Sequence, residues 1–271
     1  MKKRILIISA ITLVILAAIA IASFSKNKSP AINKRSAAGS LSVSLAQAKE
    51  FEAQGELLKA KNAYQELINN FPGSKDIMSW QKKSEDLNIK LIFSSTITPK
   101  SLLYEIKPGD SIAKIAKEFK TTPELIIKSN NLAGDKIFSG RKIKVWNAPL
   151  TIVVDKSQNM LMLKSDEEII KTYTVSTGKN NSTPAGRFKI VNKLVDPTWF
   201  KAGAVVPAQS PENVLGTRWL GFDLKGYGIH GTVEPQNLGK QITQGCVRMA
   251  NPEVEELYTL VPVGTEVTIV D

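Results

Sequence analysis

The chain holds one histidine and one cysteine, His230 and Cys246, sixteen positions apart. A cysteine attacks as its thiolate, and a histidine base is the usual means of generating one near neutral pH. Any Cys-His dyad in this protein is therefore this pair. The residues around it suit acyl transfer. Gly245 lets backbone approach a substrate beside the sulfur, and the amides around Gln244, Gly245 and Cys246 could form an oxyanion hole. Arg248 is a natural clamp for a carboxylate. The competing reading is plain: a single cysteine often serves as a small buried hydrophobe, and a single histidine as a satisfied structural residue.

The segment His230–Asn251 reads HGTVEPQNLGKQITQGCVRMAN. It resembles the signature of the L,D-transpeptidase catalytic domain: His-Gly, a spacer, then Ser/Thr-His-Gly-Cys, an apolar residue and Arg or Asn. Here these positions are His230-Gly231 and Thr243-Gln244-Gly245-Cys246-Val247-Arg248, with Gln244 where that family usually has a second histidine. The similarity continues over residues 149–271, through Val154-Asp155-Lys156, Thr177-Gly178-Lys179, Thr183-Pro184-Ala185-Gly186-Arg187-Phe188 and Leu260-Val261-Pro262-Val263-Gly264-Thr265.

The resemblance implies that Cys246 is the nucleophile, His230 the base and Gly231 the donor of a backbone carbonyl that orients the ring. Gly245 would contribute to the oxyanion hole. Arg248, Gln244, Thr243 and Trp199 would meet substrate, although Arg248 could be a structural ion pair and Trp199 a core residue. The implied reaction is attack on the L-to-D bond of a tetrapeptide stem, loss of D-alanine, and transfer to an amine of a second stem, giving a 3→3 cross-link. Water as acceptor would make the enzyme an L,D-carboxypeptidase. Loss of activity, with Gln244 as the lesion, would leave a cell-wall-binding scaffold. Glutamine can still hydrogen-bond in the cleft but cannot titrate.

The elements that must position this stretch read as β structure. Apolar runs at Thr151–Val154, Met160–Leu163, Ile169–Ser176, Phe188–Val191, Trp219–Leu224, Tyr227–His230 and Val267–Val270 are separated by turn residues, predicting a mainly-β, sandwich-like domain over 149–271. One helix is expected near the end, with Asn251 as its N-cap and Pro252 as its first residue.

Upstream, residues 102–147 predict strand, helix, helix, strand. Pro108-Gly109 makes the first turn, Asp110 or Ser111 caps the first helix, and Thr122-Pro123-Glu124 opens the second. Tyr104, Gly109-Asp110-Ser111, Ile115-Ala116, Phe119, Asn130-Asn131, Gly140 and Val145 resemble a LysM domain. That resemblance implies binding of N-acetylglucosamine-containing glycan, hence peptidoglycan, with Gly109, Asp110, Ser111 and the 132–137 stretch near the sugar. Turn and cap chemistry is the alternative role of the same three residues.

Residues 41–95 carry apolar stripes at helical spacing, with Gly55 at a turn and Pro72-Gly73 closing the second helix. Gly55, Ala60 and Tyr64 resemble one tetratricopeptide-type hairpin, and a third helix is expected over 74–92. The module could bind a protein partner or simply separate membrane from enzyme. Residues 25–40 read as a flexible linker. Met1-Lys2-Lys3-Arg4 followed by an uncharged run from Ile5 to Phe24 predicts a single-pass signal anchor over 1–24, with the remainder in the periplasm or cell wall. Cleavage after the small residues near Ala20-Ile21-Ala22, and secretion, is the alternative.

The fold class expected is thus α+β and multidomain: membrane helix, helical module, βααβ LysM domain and mainly-β catalytic domain. The net charge of +11 fits an anionic polymer or anionic lipid, and no nucleic-acid motif accompanies it. One cysteine excludes an intrachain disulfide. One His and one Cys without clustered carboxylates do not furnish a zinc site, so no metal or cofactor is expected.

Overall fold

A computed structural model of the chain describes residues 34–201 and 203–271. The expected anchor over 1–24 and most of the expected linker lie outside the described residues. No described helix is long and apolar enough to cross a membrane. The chain divides into two compact units, Met1–Ser84 and Glu85–Asp271.

The first unit carries helices α1 (Lys34–Ala53) and α2 (Leu57–Asn70) and the first turns of α3 (Ile77–Phe93). Helix α1 begins at Lys34, so the last seven residues of the expected linker are helical. Their run of Lys, Arg, Ser, Ala and Gly contains no proline to stop a helix. Gly55, at φ +72°, makes the turn between α1 and α2. Ala48, Ala60, Tyr64 and Leu67 are buried, and the Tyr64 hydroxyl donates to Glu52 (3.1 Å).

The second unit opens with the last turns of α3 and the βααβ module expected from the sequence: β1 (Ser101–Glu105), α4 (Ile112–Glu118), α5 (Pro123–Ser129) and β2 (Lys142–Trp146). Strands β1 and β2 pair antiparallel. Ser111, not Asp110, caps α4, accepting from Lys114 N (3.3 Å). Thr122 caps α5 ahead of Pro123. Asn130 closes α5 by pairing its side-chain amide with the backbone of Lys144 at both ends (2.7 and 2.8 Å).

The remainder is built on one eight-stranded sheet. Its strands are β3 (Thr151–Asp155), β4 (Met160–Ser165), β5 (Glu168–Thr174), β7 (Gly186–Val195), β10 (Arg218–Phe222), β11 (Gly228–His230), β13 (Val247–Arg248) and β14 (Glu266–Val270). They run in the order β13-β11-β10-β7-β14-β3-β4-β5. Short pairs sit beside the sheet, β6 (Thr177–Gly178) with β12 (Gln241–Thr243), and β8 (Trp199–Lys201) with β9 (Ala204–Val206).

The mainly-β character expected for this region holds, and β7 gives the sheet its form. Its first residues pair with β14 and its later ones with β10, and a bulge at Gly221/Phe222 accompanies the change. A single long strand thus carries one curled sheet around the core; bulges of this kind bend and twist a strand. Helix α6 (Asn251–Leu260) buries Val254, Leu257 and Leu260 against the sheet.

The βααβ module and the unit built on the eight-stranded sheet share their interior. Leu125 and Trp146 belong to the same buried cluster as Ile89, Ile92, Leu161, Ile170, Val254 and Leu257. The buried Lys144 ammonium donates to the carbonyls of Leu91 (2.7 Å), Ile92 (3.3 Å) and Ser94 (2.8 Å) at the end of α3, where a helix presents unpaired carbonyls and partial negative charge. The Thr122 hydroxyl donates to the carbonyl of Thr259 in α6. The outer edge of the sheet is covered as well. Glu85 accepts from the Thr172 amide (3.1 Å) and hydroxyl (2.8 Å), and Asn88 donates to Ile170 O (3.0 Å). An edge strand whose backbone groups are taken up this way offers no template for pairing with another chain.

Candidate active site

Strands β11 and β13 are parallel neighbours, with Ile229 opposite Val247 and His230 opposite Arg248. Side chains alternate along a strand, so His230 and Arg248 share one face, and Cys246 lies in the turn that leads directly into β13. The Gly226 carbonyl and the Gly228 amide, at the approach to His230 along β11, both meet the Cys246 sulfur. Cross-strand pairing also places Trp219 opposite His230, and the two rings stack with centroids 6.1 Å apart and planes 20° apart.

His230 is buried, and its Nδ1 lies 2.7 Å from the carbonyl oxygen of Gly231. A carbonyl only accepts, so Nδ1 carries the proton and the neutral ring keeps its lone pair on Nε2. Burial pushes the imidazole down to about 4; the Gly231 and Leu215 carbonyls oppose that shift and the Arg248 charge adds to it. The ring is thus held as a neutral base.

The Cys246 thiol is half-buried and free, and donates to the Gly226 carbonyl (3.5 Å). Burial raises its pKa, against the Gly228 amide and the Arg248 charge, which favour the thiolate. Both polar atoms of the pair rest on backbone groups. At rest the site holds neutral thiol and neutral imidazole, with the positive guanidinium of Arg248 nearby.

The turn before the sulfur is braced from within. The Thr243 hydroxyl accepts from Gly245 N (3.2 Å) and donates to Cys246 O (2.6 Å). Two expectations change as a result. Thr243 is buried and spends its hydroxyl on the loop rather than on substrate. The Gly245 amide, expected in the oxyanion hole, is already donated to Thr243. What Gly245 contributes is room: its φ is +134°, and a Cβ there would lie 2.6 Å from a ring carbon of Tyr227 and 3.2 Å from Ser182 O.

Arg248 reaches Glu234 (3.5 Å), the ion pair that was the alternative to a substrate clamp, and its buried Nε is without a hydrogen-bond partner. Gln244 is exposed at the turn. Trp199 lies half-buried on the β8–β9 hairpin. In the LysM module, Asp110 accepts from the Tyr104 hydroxyl (2.9 Å) and Lys107 N (2.8 Å), and Gly109 O accepts from Lys114 Nζ (2.8 Å). With Ser111 capping α4, all three expected sugar-contact residues are engaged in turn and cap chemistry.

Residues that the sequence reading passed over complete the site. The Trp219 indole lies flat on the sheet because Gly221 and Gly228 lack side chains: a Cβ at either would meet the ring, 2.7 and 2.8 Å away. Tyr227 packs on Gly245, and Gly226 and Gly228 flank the sulfur. The available signal was a pair of glycines within strands, which marks close approach of another group.

Residues 149–269 match the L,D-transpeptidase catalytic domain family, YkuD, and residues 104–146 match the LysM domain. A protein of Bacillus licheniformis named "Putative L,D-transpeptidase YkuD" is 34% identical over 176 residues, spanning 62% of this chain and 98% of that one. A Bacillus subtilis relative, YqjB, carrying the same designation is 41% identical over 126 residues, 44% of this chain and 70% of its own. The NMR structure of the catalytic domain from E. faecium L,D-transpeptidase is 26% identical and covers 45% of this chain and 98% of its own, with a TM-score of 0.38. The chain belongs to the L,D-transpeptidase family, as a cysteine-dependent peptidoglycan L,D-transpeptidase whose catalytic domain follows a LysM domain.

Proposed function

We propose that Cys246 attacks the carbonyl between the third and fourth residues of a tetrapeptide stem while His230 Nε2 takes the thiol proton. The tetrahedral intermediate collapses to a peptidyl thioester as D-alanine leaves, its amine protonated by the imidazolium. The amine of a neighbouring stem then attacks the thioester, passing its proton to His230 and restoring the thiol, to give a 3→3 cross-link. What supports this reading is the chain's one imidazole, its tautomer set by Gly231, standing opposite Arg248 across β11 and β13, with the chain's one thiol two residues before that arginine.

The LysM module binds the glycan strand. Because it shares a buried core with the catalytic unit, it presents that strand at a set position instead of on a flexible leash. Residues 1–24 anchor the chain in the membrane with the working domains outside.

The full chain, incubated with disaccharide-tetrapeptide and followed by mass spectrometry beside Cys246→Ala, tests the chemistry. Cys246-dependent dimer with release of D-alanine supports the transpeptidase. Tripeptide without dimer replaces the amine acceptor with water. Absence of any Cys246-dependent product overturns the mechanism.

A further inference from the structure

We propose that Asn251 is a positioning residue for the histidine base, acting through the peptide bond between Gly231 and Thr232. The inference rests on His230 being the base and goes beyond the residues so far assigned to the site.

Asn251 stands where an N-cap residue is expected, but it does not cap. Ala250 occupies the cap position of α6 and makes no side-chain bond. The Asn251 side chain instead turns back, and its Oδ1 accepts from Thr232 N (3.0 Å) and Thr217 N (3.3 Å). The Thr232 amide belongs to the same peptide unit as the Gly231 carbonyl, which holds His230 Nδ1 at 2.7 Å. No described peptide is cis, so the N–H and C=O of this unit point in opposite directions. Asn251 Oδ1, the peptide and the imidazole therefore form one line of hydrogen bonds. Each bond in such a chain polarises the next, strengthening it by about 10–30%.

Crowding gives an independent observation. A Cβ at Gly231 or at Gly216 would run into Asn251 Oδ1. Both glycines thus make room for this one oxygen, and Gly216 does so at a φ of +63°. The platform is rigid, because α6 is held in the core by Val254, Leu257 and Leu260. Without the Oδ1 acceptor, the Gly231–Thr232 peptide is free to rotate, and the ring loses the bond that keeps its proton on Nδ1.

The test uses the full chain with 15N-labelled histidine, which yields one imidazole because the chain has one. Nitrogen shifts report the tautomer, and D-alanine release from disaccharide-tetrapeptide gives kcat and KM. Asn251→Ala is expected to move the shifts from a single Nδ1–H form towards a tautomer mixture, and to lower kcat at least tenfold with KM within twofold. Asn251→Asp keeps the acceptor oxygen and is expected to hold the Nδ1–H form and recover most of the lost kcat. A folded Ala variant with an unchanged tautomer and kcat within twofold overturns the proposal. Should the Ala variant fail to fold, loss of the Nδ1–H form in a folded Asp variant overturns it. The tautomer readout needs no turnover, so it judges Asn251 even if the catalytic mechanism proposed above fails.

Discussion

Between pH 8 and about pH 5.5 the side chain whose ordinary pKa falls inside the window is an imidazole, and His230 is the chain's one histidine. Its pKa is lowered from 6.5 to about 4, chiefly by burial. At pH 6 an ordinary imidazole is about three-quarters protonated, whereas one titrating near 4 is about 1% protonated. A downward shift of this size corresponds to about 3 kcal/mol between the charged and neutral rings in the fold. The sign follows from proton counts: below pH 6.5 the unfolded chain binds a proton that the folded chain refuses. The contribution to stability is therefore complete above pH 6.5 and is lost as pH falls through about 4. Proton NMR follows the single histidine ring signal, which is expected to stay constant from pH 8 to about pH 5 and to move only below it. Iodoacetamide reads the other half of the pair at the single cysteine. With no imidazolium beside it, the thiol is expected to alkylate about tenfold faster per pH unit between pH 6 and 8, as the thiolate population climbs. A ring midpoint near 6.5 or above, together with alkylation that is level from pH 5 to 7, would mean a preformed thiolate–imidazolium pair and would refute the neutral resting state.

Gly245→Ala forces a Cβ to within 2.6 Å of Tyr227 at φ +134° and is expected to destabilise the chain by about 1–3 kcal/mol; adding Tyr227→Ala should remove the ring clash but not the backbone strain, so denaturant unfolding shows only partial recovery. Thr243→Val removes both bonds of the turn brace; a loss of about 1–3 kcal/mol in unfolding, with kcat falling more than KM changes, is expected from enzyme assays beside denaturation. The fragment 149–271 lacks Ile89, Ile92, Leu125 and Trp146, four members of its own core cluster. At about 1.5–3 kcal/mol per large buried side chain, that deficit rivals the whole stability of a domain, about 5–15 kcal/mol. Circular dichroism is expected to find this fragment unfolded or aggregated, while 85–271 melts cooperatively.

The candidate Cys-His pair was legible in the sequence because the chain has one cysteine and one histidine. The βααβ module was legible because its turns are chemical: Gly109, the Ser111 and Thr122 caps, and Pro123 at a helix start all act within a few residues of themselves. Periodicity likewise located most strands of the catalytic unit, though it stopped β7 at Val191, four residues short of its end at Val195.

What stayed hidden depends on partners distant in sequence. Lys144 looks like a surface lysine until the end of α3 supplies three carbonyls some fifty residues away. Trp219 matters because β10 pairs with β11, a register that no local pattern states. Asn251 has the composition of a helix cap, and only the approach of the Gly216 and Gly231 loops diverts its side chain. The Gly245 amide could be assigned to an oxyanion hole only while the position of the Thr243 hydroxyl was unknown. Local sequence determined which groups can do chemistry and which segments are strand, helix or turn, since period and turn geometry are properties of neighbouring residues. Tertiary structure decided which of those groups remain free to act, because burial and hydrogen-bond occupancy are set by residues that meet only when the chain folds.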